Sequence, residues 1–412
     1  MAIMEKEGAA TADRPRSEAG EMITRGMRLL LTGVGKRFRL LRRAVHSHLQ
    51  SNAILEYQHI QIFNAKQVIY DILDDPENHV EHPKRYAASL ILSITYGKPS
   101  PSNKSDLDVM LVEESTRRLG KSLRPGAFLV DDYPWLKYVP FYGRTLRQYH
   151  RDELSLFRRQ LQAVRDDMAK GPAKASFGKH LIENRESLGL SDDEIAYLAG
   201  AMFSAGSETT AAALSYVIMA AACHPEAQVR VQEELDSTVA FGRLPAFSDA
   251  KDLPHVEAFV REALRWRPIT AGGIPHATTK DIAYRNYVIP SGTVLLANHW
   301  AISRDPHVFP DGDRFTPQRW FNDEGILRQD LNFPGFGFGR RICPGQALAQ
   351  KSLFLNTAML LQAFEITPKP GCKIDTLDVR EGINILPQPF PVHFRVRHPG
   401  GALALRALLA LE

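Results

Sequence analysis

At 412 residues and 44% hydrophobic, the chain carries enough apolar surface for a large core, in one large domain or two. A formal charge of +4 is mild, so it excludes a protein whose main partner is nucleic acid and leaves room for local basic patches only. Cys223, Cys343 and Cys372 show no Cys-x-x-Cys pairing and exclude a disulfide framework, which suits a reducing compartment.

The opening Met1 to Met22 is charged and lacks the apolar core of a signal peptide, and residues 1–20 read as a disordered tail. Lys36 to Gln50 predicts a basic amphipathic helix, with Phe38, Leu41, Val45 and Leu49 on one face and Arg42 inside that face. An arginine within an apolar stripe calls for an anionic partner. His46 and His48 are two residues apart on this helix, so they do not face each other as metal ligands would. Lys36, Arg37, Arg39 and Arg43 form a basic cluster, readable as a solvated face or as a docking surface. Helical segments follow through Tyr70 to Tyr96, with a loop near Pro99-Ser100-Pro101. Asp131 to Pro140 reads as an aromatic packing loop, and Tyr149 to Met168 as a charged helix that Gly171-Pro172 breaks.

Ile195 to Cys223 is the longest apolar run and could cross a bilayer by length, but Ser204, Ser207, Glu208, Thr209 and Thr210 at its centre favour a buried core helix. It opens on the capping box Ser191-Asp192-Asp193-Glu194 and ends at His224-Pro225. In its middle, Gly206 thins the helix where a flat ligand or dioxygen could approach, and a threonine hydroxyl can bond back to a carbonyl. Glu208 beside Thr209 places an acid next to an alcohol, as a proton relay requires. An ordinary helix with small packing residues is the alternative for this hexapeptide alone.

Pro254 opens a helix with Val256, Phe259, Val260 and Ala263 on one face. Glu262 and Arg265 lie three apart on the other, which periodicity alone reads as a surface ion pair. Strands are predicted at Ile282 to Ile289 and Thr293 to Asn298, joined by Pro290-Ser291-Gly292. The stretch Phe336-Gly337-Phe338-Gly339-Arg340-Arg341-Ile342-Cys343-Pro344-Gly345 is a glycine-rich loop built for close contact. It delivers Cys343 to the positive end of a helix from Gln346 to Phe364, which favours a thiolate. A buried structural cysteine is the plainer alternative. Gly371 to Pro399 reads as strands and turns, and Gly400 to Glu412 as a short helix of no evident role. The spacing Gly335-x-Gly337-x-Gly339 is not a dinucleotide fingerprint, and no Walker loop occurs.

Phe336, Gly339, Arg341, Cys343 and Gly345 together resemble the haem-ligand signature of the cytochromes P450, Phe-x-x-Gly-x-Arg-x-Cys-x-Gly. The hexapeptide at Ala205 resembles the family's oxygen-activation motif, and the likeness runs from about Asp13 to Pro399 with the texture of fungal microsomal-type members. The resemblance implies a mainly α fold with small β-sheets, a single haem domain over residues 21–399 and a short tail over 400–412. It also implies haem b with Cys343 as axial ligand, and Ala205, Phe336, Gly339 and Gly345 against the cofactor. Arg42, His276 and Arg341 would hold the propionates, with Phe38 where the family's tryptophan usually stands. Glu208 and Thr209 would relay protons, Thr270 and Ala271 would touch substrate, and Glu262, Arg265 and Arg319 would form a structural triad, with Gln318 in place of a usual glutamate.

The implied reaction is monooxygenation of a lipophilic small molecule, with electrons from NADPH-cytochrome P450 reductase docking on the basic cluster. Alternatives are an O2-independent isomerase or dehydratase, or a non-catalytic relative. The family's N-terminal anchor and first strands find no counterpart, so the chain reads as N-terminally shortened, with Thr293 to Asn298 expected as an exposed sheet edge. The location implied is the endoplasmic reticulum surface, with peripheral membrane contact, or the cytoplasm if the shortening is genuine.

Overall fold

The computed structural model describes residues 3–50, 52–98, 107–380 and 382–411. The loop expected near Pro99-Ser100-Pro101 lies outside them. The helices are α1 (Glu18–Thr24), α2 (Lys36–Leu49), α3 (Gln58–Asp74), α4 (Glu81–Tyr96), α5 (Leu107–Ser122), α6 (Arg144–Lys170), α7 (Phe177–Glu183), α8 (Arg185–Leu188), α9 (Asp192–Cys223), α10 (Pro225–Thr238), α11 (Pro254–Trp266), α12 (His299–Ile302), α13 (Gln346–Ala363) and α14 (Gly401–Ala410). The strands are β1 (His276–Ala277), β2 (Ile282–Tyr284), β3 (Tyr287–Ile289), β4 (Val294–Leu295), β5 (Phe364–Pro368), β6 (Val379–Arg380), β7 (Leu386–Pro387) and β8 (Val392–Val396). They pair two by two, antiparallel, as β1 with β4, β2 with β3, β5 with β8 and β6 with β7.

The axis of the molecule is α9. Ser191 and Glu194 close both halves of the capping box at its start. Its small residues let neighbours press close, and α4, α6, α11 and α13 all pack on it. A Cβ at Gly200 would lie 2.2 Å from the Phe157 ring of α6, and one at Gly206 would lie 2.7 Å from Cγ1 of Ile91 on α4. The close approach at Gly206 is therefore that of a neighbouring helix, not of the flat ligand expected there. Among the described residues no helix is long and apolar enough to cross a membrane.

Two terminal readings change. The segment expected as a disordered tail is ordered from residue 3: Met4, Ala10, Thr11 and Ala12 are buried, and Met4 packs with Ala297 and Phe338. Its backbone supports the strands, since Thr279 N–H donates to Ala10 O at 2.8 Å and Ala277 N–H to Asp13 O at 2.8 Å. Small, charged composition misled here because the ordering comes from partners about 270 residues away in sequence. At the other end, α14 buries Leu405 and Leu409, and its Arg406 carbonyl accepts from Tyr70 Oη at 3.1 Å.

The strands are also shorter than expected. Ile282 to Ile289 is a hairpin, not one strand, because the chain reverses at Arg285 with φ 52° and pairs Ile282 with Ile289. Only Val294–Leu295 of the next segment is a strand, paired with β1, and Val294 and Leu296 stay exposed.

Candidate active site

The cysteine loop is locked from within. Cys343 N–H donates to the Phe336 carbonyl at 2.8 Å, so the ring-bearing residue and the sulfur-bearing residue face each other across a tight turn. Gly337 and Gly339 hold φ of 85° and 48°, and a Cβ at Gly339 would sit 2.9 Å from the Met4 carbonyl. The loop therefore uses its glycine against the N-terminal segment. Cys343 is exposed at the wall of a cavity of about 460 Å3 that Arg42, His46, Leu49 and Gln350 also line. Protein nonetheless crowds the sulfur, and desolvation pushes the thiol pKa up against the pull of the Gly345 N–H and the Arg42 charge. A cation bonded to this sulfur would favour the thiolate and offset that desolvation.

Beside the loop lies a set of desolvated cations. Arg341 is buried, stacks 3.7 Å over the Phe38 ring, and donates to the carbonyls of Ala12 at 2.6 Å and Thr32 at 2.6 Å. Burial, with Arg14 and Arg42 nearby, pulls its pKa down to about 9. Arg14, which no sequence pattern singles out, belongs to the same set. It donates to Leu30 O at 2.9 Å and Pro275 O at 2.6 Å, and burial lowers its pKa to about 10. Arg42 donates to the Ile342 carbonyl at 2.5 Å. Among the described residues none of the three forms an ion pair, and Asp13, the carboxylate acting on Arg14 and Arg341, accepts from Val34 N–H at 2.7 Å. Buried guanidinium groups answered only by carbonyls fit a ligand that brings its own carboxylates.

His276 does not fit the donor role expected of it. Its Nδ1–H must donate to the Thr11 carbonyl at 2.7 Å, which leaves Nε2 an acceptor, and a carboxylate needs a donor. Burial lowers its pKa to about 4, so the ring of the free chain is neutral near pH 7.

On α9, Ala205 is exposed in the middle of an otherwise buried helix, with Glu208 and Thr209 half-buried on the following turn. A small exposed residue at the core of a fold marks an internal space. Thr209 Oγ1 donates back to Ala205 O at 2.8 Å. Glu208 is held away from its neighbour, accepting from Arg380 at 3.2 Å and from Asn384 Nδ2 at 2.9 Å. Thr270 Oγ1 donates to Asn384 Oδ1 at 3.2 Å, while Ala271 is buried with its carbonyl bonded to Trp300 N–H.

Behind the loop, Glu262 and Arg265 are fully buried, not the surface pair that periodicity suggested. Arg265 donates to both carboxylate oxygens, at 2.8 and 2.7 Å, and Arg319 Nε adds a bond of 3.0 Å. Sequence reasoning missed Trp320 Nε1 and Thr316 N–H, which donate to the same carboxylate at 2.9 and 2.8 Å. Five donors on one carboxylate make the buried charge tolerable. In the basic cluster, Lys36, Arg39 and Arg43 are exposed, whereas Arg37 is half-buried and paired with Glu194.

The model of the cytochrome P450 family matches residues 1–394. Cytochrome P450 monooxygenases 64 and 113 of Postia placenta are each 50% identical to this chain over 396 residues, covering 96% of it and 80% of their own length. A cytochrome P450 monooxygenase of Armillaria gallica is 38% identical over 408 residues, covering 95% of this chain and 79% of its own. The chain belongs to the cytochrome P450 family. It is a haem-thiolate monooxygenase whose cofactor is a haem with cysteine-ligated iron.

Proposed function

We propose that Cys343 is the iron ligand and that the chain inserts one oxygen atom from O2 into a lipophilic small molecule, the other atom leaving as water. The observation that supports this most is the pairing of a cavity-facing thiol with arginines that form no ion pair among the described residues. The haem, when bound, supplies the oxygen-activating iron. Arg14, Arg42 and Arg341 would receive its carboxylates, and His276 would position the Thr11 backbone behind them. Thr209 holds a hydroxyl proton beside the exposed Ala205, and Glu208 supplies the acid that replaces that proton.

The electron source in this reading is NADPH through a separate reductase, met by the exposed Lys36, Arg39 and Arg43. NADPH oxidation by the reconstituted pair, with oxygen from 18O2 appearing in a product, is the expected result; peroxide rearrangement without reductase would favour the isomerase reading. The loop before α6 leaves Tyr133, Trp135, Tyr138 and Phe141 exposed by 54%, 61%, 79% and 71%, with Lys137 and Arg144 against two of the rings. Amphipathic rings among cations suit a membrane interface, and this supports peripheral contact at the endoplasmic reticulum. Co-sedimentation with phospholipid vesicles, lost in Trp135→Ser with Phe141→Ser, checks it. A place in secondary metabolism belongs to the same reading.

A further inference from the structure

The β6–β7 loop reaches into the molecule where none of the sequence motifs points. Ile385 N–H donates to Ile269 O at 2.7 Å, and Ile383 packs so closely on α5 that a Cβ at Gly120 would lie 3.3 Å from its Cγ1. Between these two anchors stands Asn384, half-buried, with each end of its amide used. Its Nδ2–H donates to Glu208 Oε2 at 2.9 Å, and its Oδ1 accepts from Thr270 Oγ1 at 3.2 Å. Arg380, from the same hairpin, donates to the other Glu208 oxygen at 3.2 Å.

We propose that Asn384 is a positioning residue that ties the acid of the proton relay to Thr270, the residue that the family resemblance assigns to substrate contact, so that an occupant touching Thr270 alters the hold on Glu208. The inference rests on the monooxygenase reading above. Every bond in the chain runs one way, from the Thr270 hydroxyl through the Asn384 amide to the carboxylate. Such a chain polarises cooperatively, and breaking the first bond weakens the next. Glu208 accepts from Arg380 and Asn384 and makes no bond to Thr209, whose hydroxyl is bound to Ala205 O. Proton supply therefore requires Glu208 to leave Asn384. An amide is the side chain that fits: an aspartate at position 384 would keep the acceptor for Thr270 but set a carboxylate against Glu208, and leucine would fill the space with neither bond.

The test uses the haem-loaded chain with reductase and NADPH, and no added substrate. Two fluxes compete: NADPH + H+ + O2 → NADP+ + H2O2, and 2 NADPH + 2 H+ + O2 → 2 NADP+ + 2 H2O. The ratio of peroxide to water formed should change by about fivefold in Asn384→Leu and Asn384→Asp, the scale of a coupling near 1 kcal/mol. Thr270→Val should shift the ratio in the wild-type background and leave it unmoved in Asn384→Leu, a non-additivity that two independent packing roles would not give. Independently of turnover, the Asn384 side-chain amide resonance of asparagine-labelled protein should shift in both Glu208→Gln and Thr270→Val. Unchanged flux ratios, additive effects or an amide indifferent to both substitutions would overturn the inference while the reduced carbon-monoxide complex kept its thiolate band. Loss of that band in the wild-type chain would instead overturn the monooxygenase reading, and the inference with it.

Discussion

The two sides of the site are built on opposite terms. On one, Glu262 answers five donors, with Arg265 and the carboxylate both fully buried. On the α9 side, Glu208 is held by two side-chain bonds, of 2.9 and 3.2 Å, from one hairpin, and Ala205 is exposed. The contrast separates two jobs. A scaffold has to keep one geometry, so the carboxylate at its centre is bound into a network whose parts fail together. A proton relay has to change partners, so its acid is held by bonds that cost little to exchange.

The contrast breaks if the two carboxylates tolerate loss equally. Glu262→Ala strands Arg265 in the core and should cost about 3–5 kcal/mol of stability, read in a urea or guanidinium denaturation. Glu208→Ala, on a half-exposed carboxylate, should leave that denaturation within about 1 kcal/mol of wild type. Comparable losses would dissolve the distinction.

A smaller effect sharpens it on the N-terminal side. Burial holds His276 and His79 down to a pKa of about 4, below the ordinary value of 6.5, so the folded chain binds fewer protons than the unfolded one. Their stability is fully present above pH 6.5 and is lost as pH falls toward about 4, by up to about 3 kcal/mol for each ring. Denaturation midpoints at a series of pH values should fall through this window, and His276→Gln should flatten part of the slope.

How much was legible follows from where the contacts come from. The cysteine loop, the α9 hexapeptide and the Glu262 helix are local patterns, each carrying its chemistry within about ten residues, and their spacing alone brought out the family. Arg14, Trp320 and Asn384 carry no such pattern. Arg14 meets Pro275, and Asn384 meets Glu208 from 176 residues away, so only the folded chain brings them to the site. His276 shows the converse. Its residue type and position suited a donor, but the Thr11 carbonyl takes the proton-bearing nitrogen, a fact that no sequence pattern records. Gly206 was read for a ligand and serves Ile91, because spacing cannot say which neighbour a glycine admits.

The most direct measurement on the central claim is the carbon-monoxide difference spectrum of the reduced, haem-loaded chain beside that of Cys343→Ser. The account predicts the strongly red-shifted thiolate band in the wild-type chain and its loss in the variant, with Cys223→Ser and Cys372→Ser leaving it in place. A band that survives Cys343→Ser would contradict it.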